Sequence, residues 1–497
     1  MNKIGGISMP IGNVGAGILN IITESLYDKP IVVFREYVQN SIDSFLKIHN
    51  SVDKNELVSK IWLAQDNIYF LDNGKGIDRE KFEKQMKDIG MSEKIKAINI
   101  GYKGIGRLSG IPYCKRLIFI NICSYKNNSY QKYSIDGEKY NEIKKKYEGL
   151  TFDALMERIG MYVELVSDKE SGEIRNVLKR YQDIFEKQDT GFLVILDTIS
   201  PILKETIGED NNKTIFDELG WLLPVNFKDE VFSTKQKELF QDMTEDDGEV
   251  EIAPARAFNI YFNDKKIERP IGKNMLRDYV CKYNLTYAVG FQSFYRNRIA
   301  VDKDNCFSGI KIYIDNMLLC DEKELLPILQ QYGLIKHTVN ELIQSVKGIG
   351  AMIYITDKVN ISANARRTFI EVTDYDSLEF LKLLAVFVEN IYNTRYALSK
   401  YTSGKKSVEI GKDKLDALKE AANLALQKLA QEEITIIDED DKGDKTFGEL
   451  TEIEQKQAIK MKISKEVNNR IKLYLAQTTS FDYNDAYGDF KTWLLLN

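Results

Sequence analysis

A helical stretch near the N-terminus, residues 34–44, constrains the fold of this chain more than any other feature. Its polar side chains Glu36, Asn40 and Asp43 recur at i, i+4 and i+7, so a helix of 3.6 residues per turn places them on one face. Tyr37 and Phe45 can face elsewhere, toward a core. Two interpretations of this polar row are open: a solvated helix face, or a set of groups that binds a metal ion or water.

The composition is typical of a soluble globular protein. A chain of 497 residues is too long for one ordinary core, so we expect two to four domains. The formal net charge of -6 makes no overall case for nucleic-acid binding. Five cysteines without paired spacing predict neither a zinc site nor a disulfide framework, and they fit a reducing compartment. No apolar run approaches the roughly 18 residues that span a bilayer, so we expect a cytoplasmic protein without a membrane segment.

Two glycine-rich segments follow the helix. Residues 61–63 and 68–71 have the pattern of a β-hairpin, which ends in Asp72-Asn-Gly-Lys-Gly, a tight turn where backbone can approach a ligand closely. Residues 101–110 contain four glycines around a lysine and an arginine, which suits a phosphate cradle of backbone N–H groups. The second segment is neither a Walker A loop nor a dinucleotide fingerprint. Taken alone, it is equally well explained by a plain turn.

Four motifs in order resemble the GHKL ATPase superfamily, which includes gyrase-type topoisomerase subunits, mismatch-repair clamps, MORC ATPases and the ninety-kilodalton heat-shock chaperones. The motifs are Glu36-x-x-x-Asn40-x-x-Asp43, Asp72-x-Gly74-x-Gly76, Gly101-x-x-Gly104-x-Gly106 and Gly191-x-x-Val194-x-Leu196. Residues 19–27 are similar to the opening helix of the chaperones, so the chain looks closest to the chaperone and MORC branch. The resemblance extends from the N-terminal region to the fourth motif.

The resemblance implies a site for ATP and Mg²⁺. Asn40 would coordinate Mg²⁺, an ion that takes oxygen ligands. Glu36 would orient or deprotonate the attacking water, and Asp43 would support these two residues. Residues from 88 to 106 would form a lid. The phosphates would be lined by Lys103, Gly104, Ile105 and Gly106.

At the base end, the resemblance implies that Asp72 accepts a hydrogen bond from the adenine amino group. Gly74 and Gly76 would let the backbone approach the nucleotide. The fourth motif departs from the family, which usually has Gly-Thr there, because this chain has Gly191-Phe192 with Thr190 one place earlier. Either Thr190 replaces the usual water-mediated contact with adenine, or that contact is absent.

The predicted fold class is α+β, in three parts. Residues 1–230 would form a Bergerat-type ATP-binding sandwich of helices on a mixed sheet, with an N-terminal arm and the lid. Residues 250–400 resemble an α+β transducer domain, and residues 405–497 would form a helical C-terminal region. In relatives a basic transducer side chain reaches the γ-phosphate. Arg366 or Arg367 would take this catalytic role here, with Lys358 as a third candidate.

The expected function is ATP hydrolysis by a GHKL-type enzyme that works as a dimeric clamp or a chaperone-like ATPase, with nucleotide coupled to N-terminal homodimerisation. The alternative is a MORC-like DNA-binding clamp or a nucleotide-switched interaction platform with little turnover. The sequence does not decide between a protein client and nucleic acid. A histidine kinase is disfavoured, because neither of the two histidines lies in a dimerisation-helix pattern upstream of the motifs. The lysine- and isoleucine-rich composition suggests an AT-rich bacterial source, in which phage defence is one role to consider.

Overall fold

The structure of the protein is a computed structural model. It describes residues 15–17, 19, 29–48, 52, 56–88, 106–145, 150–208, 212–245, 257–271, 281–285, 288–294, 308–314, 316–346, 349–355 and 375–402. The chain divides into two compact units. The first comprises Met1–Asn226, Glu249–Arg269 and Asp315–Met317, and the second comprises Phe227–Gly248, Pro270–Ile314 and Leu318–Asn497.

The first unit contains an eight-stranded sheet in the order β5-β4-β3-β6-β2-β1-β7-β8, counted over the described residues. Its strands are β1 (Val58–Ala64), β2 (Asn67–Asp72), β3 (Cys114–Ser124), β4 (Ser129–Asp136), β5 (Gly160–Val163), β6 (Gly191–Ile199), β7 (Asn259–Phe262) and β8 (Lys265–Lys266). Strands β1 and β7 run parallel, whereas the other neighbours are antiparallel. The sheet is therefore mixed, in agreement with the predicted class of helices on a mixed sheet.

Helices cover both faces of this sheet. They are α1 (Val32–Leu46), α2 (Arg79–Lys87), α3 (Gly137–Ile143), α4 (Phe152–Ile159), α5 (Asp168–Leu178), α6 (Pro201–Ile207), α7 (Asn212–Leu222) and the 3₁₀ helices Gly106–Tyr113 and Lys179–Phe185. Helix α1 packs on one face, where the Tyr37 and Phe70 ring centroids are 5.0 Å apart. Helix α5 packs on the other face, where Leu178 joins a core with Leu71. Successive residues of β2 thus face different layers, as strand alternation requires.

Hydroxyl side chains form the N-caps of several of these helices. The side chains of Thr151, Ser167 and Ser200 accept hydrogen bonds from backbone N–H groups of the first turns of α4, α5 and α6. Such caps satisfy donors that have no partner inside the helix. Helix α1 has no side-chain cap. Its first N–H groups, those of Val32, Val33 and Phe34, donate instead to backbone carbonyl oxygens three residues earlier in the chain.

The second unit contains a five-stranded sheet in the order β12-β11-β13-β10-β9, again over the described residues. Its elements are α8 (Glu230–Glu245), β9 (Cys281–Leu285), β10 (Ala288–Phe294), β11 (Gly309–Ile314), β12 (Met317–Asp321), α9 (Glu322–Gln331), α10 (Val339–Val346), β13 (Ile349–Ile355) and α11 (Tyr375–Thr402). Ile312 and Ile353 of the sheet join one core with Leu329, Leu342 and Leu384 of the helices. The helices expected within residues 405–497 lie outside the described residues. Among the described helices, none has both the length and the apolar character needed to cross a membrane.

Candidate functional site

The polar row of helix α1 is largely buried, which argues against a solvated face. Asp43 is 1% exposed, the Glu36 side chain is 13% exposed, and Asn40 is half-buried. The Arg35 guanidinium pairs with Glu36, with 3.0 Å between Nη2 and Oε1. Burial of polar groups costs free energy unless they find partners. The burial of this row therefore indicates that it serves a specific purpose in the domain.

The carboxylate of Glu36 meets the second glycine motif. A Cβ atom at Gly106 would collide with the Glu36 carboxylate, so the absence of a side chain lets this backbone approach the acid. The neighbouring Tyr37 fixes the contact: its hydroxyl donates to the Arg107 carbonyl oxygen and accepts from the Gly110 N–H, both at 3.1 Å. The predicted site residues Lys103, Gly104 and Ile105 lie outside the described residues.

Arg107 is a residue that the motif-based prediction passed over. Its guanidinium donates to the carbonyl oxygen of Asp88, so one side chain joins the described positions on either side of residues 89–105. Burial lowers the pKa of Arg107 to about 10, and the group therefore stays charged at neutral pH. It places a cation directly after the second glycine motif.

The carboxyl group of Asp72 is buried at the end of β2. Asp72 is 4% exposed, and its Oδ1 accepts a hydrogen bond from the Gly74 N–H at 2.9 Å. Burial raises the pKa of Asp72 to about 7, although the Gly74 N–H, the Ser41 hydroxyl and the charge of Lys47 all favour the ionised form. An ionised buried carboxylate is costly without a matching donor, so this carboxyl is suited to accept a hydrogen bond from a ligand.

The turn that follows Asp72 is held from two sides. Gly76 has φ +68, a left-handed conformation that favours glycine, and its N–H donates to the Ser44 hydroxyl of α1 at 3.0 Å. Thr190 directly precedes β6, and its Oγ1 donates to the Gly74 carbonyl oxygen at 2.9 Å. The structure therefore brings together Asp72, both glycines and Thr190 around one turn.

Ser41 and Ser44 are the helix residues that the sequence prediction missed. Both are buried, and both reach the Asp72 turn. The available signal was a pair of hydroxyl residues among the apolar positions of α1, since buried hydroxyls need partners. Arg366, Arg367 and Lys358 lie outside the described residues.

Helix α1 offers oxygen donors that could hold part of the coordination shell of a magnesium ion. Among the described residues, no cluster of three or more histidine, cysteine, aspartate or glutamate side chains could hold a metal ion. Mg²⁺ commonly binds one or two protein oxygens and takes its other ligands from phosphates and water. The Asn40 amide oxygen, one turn from Glu36, is the group on α1 that would serve as that protein ligand.

Fold and site together define a helix-on-sheet domain that is suited to bind a ligand along α1. Residues 29–172 match the family model described as histidine kinase-, DNA gyrase B-, and HSP90-like ATPase. The match supports the GHKL superfamily for this part of the chain and indicates an ATP-binding ATPase domain. No curated protein matches the chain significantly.

Proposed function

We propose that this protein is a Mg²⁺-dependent ATP hydrolase that acts as an ATP-gated dimeric clamp. The observation that carries the proposal is that helix α1 contacts both glycine-rich segments. Glu36 contacts Gly106 of the second glycine motif, and Ser44 contacts the turn after Asp72. These two residues of α1 are about 12 Å apart along the helix axis, at 1.5 Å of rise per residue. An extended nucleotide with its base at Asp72 and its phosphates at Glu36 spans a comparable distance.

At the base end, Asp72 would read adenine. The ionised carboxylate accepts a hydrogen bond from the adenine amino group, whereas guanine presents a carbonyl oxygen at the equivalent position and would be repelled. Burial supports this role, because a hydrogen bond to a desolvated charge is stronger than one in water. The hydrogen bond from Thr190 to the Gly74 carbonyl oxygen supports an auxiliary role of Thr190 at the same turn.

At the phosphate end, Glu36 would orient the attacking water and accept its proton. Asn40 would hold Mg²⁺, which when bound neutralises charge on the phosphates. General-base and positioning effects of this kind are typically worth about 10²–10⁴ in rate. Asp43 would support Glu36 and Asn40. Arg366 or Arg367, with Lys358 as the third candidate, would sense the γ-phosphate.

The proposal includes the coupling of nucleotide to assembly. ATP would order the lid, release the N-terminal arm to pair with a second copy of the chain, and hydrolysis would reset the clamp. In this reading the second unit is the transducer, and the protein is nearest the chaperone and MORC branch. The clamp would hold a protein client or DNA, and it would serve in bacterial defence.

The purified full-length chain tests the proposal directly. We expect ATP turnover that falls about 10²–10⁴-fold in Glu36→Gln with nucleotide affinity retained, and a doubling of mass in light scattering when a non-hydrolysable ATP analogue is added. Asp72→Asn should abolish both turnover and doubling. ATPase activity that survives Glu36→Ala would refute the mechanism. A mass that does not change on addition of the ATP analogue would refute the dimeric clamp. Salt-dependent DNA binding would identify the DNA clamp, and suppressed aggregation of a denatured protein would identify the chaperone.

A further inference from the structure

A set of side chains crosses the first sheet in line with Asp72. In the strand register, Asp72 of β2 lies opposite Phe192 of β6, and Phe192 lies opposite Asn121 of β3. Asn121 in turn lies opposite Gln131 of β4. Because directly opposed residues of neighbouring strands point to the same face, these four side chains share one face of the sheet. We call Asn121 and Gln131 the amide pair.

The amide pair lies on the sheet face that packs against helix α1, and it is fully buried. Phe119, two residues from Asn121 and therefore on the same face, contacts the ring of Tyr37 with 6.5 Å between centroids. Asn121 is 1% exposed and Gln131 is 0% exposed. Amides at such depth cost free energy unless they are hydrogen-bonded, so their partners show what they hold in place.

The partners are backbone groups of the segment that leaves the glycine turn. The Ile77 N–H donates to Asn121 Oδ1 at 3.0 Å, and Asn121 Nδ2 donates back to the Ile77 carbonyl oxygen at 2.7 Å. Asn121 Nδ2 also donates to Gln131 Oε1 at 3.0 Å. Gln131 Nε2 donates to the Arg79 carbonyl oxygen at 2.9 Å. The amide pair thus binds residues 77–79 through side chains, where a neighbouring strand would use its backbone.

Contact with the glycine turn is direct. A Cβ atom at Gly76 would lie 2.9 Å from Asn121 Oδ1 and 2.9 Å from the Gly191 carbonyl oxygen. The turn therefore has two fixed ends: Asp72 in the sheet, and Ile77 on the amide pair. What lies between them is the Gly74 N–H that binds the Asp72 carboxylate.

We infer that the amide pair is a positioning element of the base site, acting through the backbone of Gly76 and Ile77 on the turn beside Asp72. The inference rests on the proposed function. It concerns the base end. Apart from the bond within the pair, the described hydrogen bonds of the two amides go to residues 77–79, to Cys123 of β3, and to Tyr162 and Glu164 in and just after β5. Glu36, in contrast, is approached by Gly106. Loss of the pair should therefore weaken nucleotide binding and leave the chemical step largely intact.

The main test is Asn121→Asp in the full-length chain. This change keeps an oxygen for the Ile77 N–H and removes the Nδ2 donations to Ile77, Gln131 and Cys123. It also turns a carboxylate oxygen toward the Ile77 carbonyl. We expect the Kd for ADP and the KM for ATP to rise about 10–100-fold, with kcat within about threefold of the parent. The same loss for ADP as for ATP is expected, because the γ-phosphate is not involved. Calorimetry and steady-state ATPase assays provide these values.

Asn67→Asp is the matched control. Asn67 also accepts a backbone N–H, from Thr198 at 2.9 Å, and its Nδ2 donates to the Tyr69 hydroxyl at 3.2 Å. It lies in the same sheet, at the end of β2 away from Asp72, so it should leave KM and kcat unchanged. Gln131→Met is the second variant, in case Asn121→Asp fails to fold. It removes the bond to the Arg79 carbonyl oxygen together with the other hydrogen bonds of the Gln131 amide, and it should raise KM by a smaller factor.

The outcomes separate the two levels of the argument. If the parent chain binds no adenine nucleotide, the proposed function fails and the inference falls with it. If the parent binds ADP and the folded Asn121 and Gln131 variants bind it equally well, the inference alone is rejected. A fall in kcat at unchanged KM, or equal losses in Asn67→Asp, would also overturn it.

Discussion

Replacing Asp72 by asparagine should stabilise the ligand-free protein at and above neutral pH while it removes adenine recognition. The folded-state pKa of Asp72, about 7, lies above its ordinary value of 3.8. Between these values the folded chain binds more protons than the unfolded chain, so the contribution of Asp72 to stability falls as pH rises through this window and is level above it. Asparagine has nearly the same shape and can still accept the Gly74 N–H, but it carries no charge.

The magnitude follows from the two pKa values. At 1.36 kcal/mol for each unit of pKa difference, burial of the ionised carboxylate costs about 4 kcal/mol above pH 7 and about 3 kcal/mol more at pH 8 than at pH 5. A domain of this size changes its melting temperature by about 2–4 °C per kcal/mol. The difference in melting temperature between Asp72→Asn and the parent should therefore be larger at pH 8 than at pH 5 by about 6–12 °C, as measured by thermal denaturation without nucleotide.

Glu83→Gln provides the control. It makes the same carboxylate-to-amide change at a side chain that is 45% exposed and paired with Lys87, and exposed pairs of this kind contribute little. Its melting temperature should follow the parent at both pH values. If Asp72→Asn also follows the parent, or destabilises equally at pH 5 and pH 8, the buried carboxyl does not have the pKa on which the reasoning depends.

Three further predictions concern the ligand. Adenosine, which does not titrate in this range, should bind the parent about tenfold more tightly at pH 8 than at pH 6, because adenine requires the ionised Asp72; a flat profile would contradict this role. Gly106→Ala should reduce kcat about a hundredfold or more, since its Cβ displaces the Glu36 carboxylate, with adenosine affinity unchanged; full activity would show that the contact is unimportant. Thr190→Val should weaken ADP binding about 2–10-fold through loss of the bond to Gly74, whereas Thr206→Val, which loses a bond to Ile202 on the exposed helix α6, should not.

Much of the first unit can be predicted from local sequence. The β1–β2 hairpin follows from two apolar runs on either side of a short polar turn, and Asp72 is the last residue of β2 as the pattern predicts. Helix α1, Val32–Leu46, contains the whole of the helical stretch expected at residues 34–44. These features depend on residues a few positions apart, so neighbouring side chains are enough to define them.

Such local patterns do not predict which strands pair when they are far apart in the sequence. Strand β7, within the range that the sequence assigns to a second domain, pairs in parallel with β1. Strand β5 directly follows α4, and its limits depend on its pairing with β4. Sheet order is decided by which apolar faces pack together, and one sequence contains little information about that choice.

The polar row of α1 shows the same division. The sequence by itself determined that Glu36, Asn40 and Asp43 share a helix and that Asp72 begins a glycine turn, because helix period and turn chemistry are local. Only the tertiary structure decided that the row is buried, that Gly106 approaches Glu36, and that Ser44, Thr190 and Asn121 hold the turn. Those contacts join residues 32 to 116 positions apart. Such partners are chosen by packing and by the need to satisfy buried polar groups, which no local pattern records.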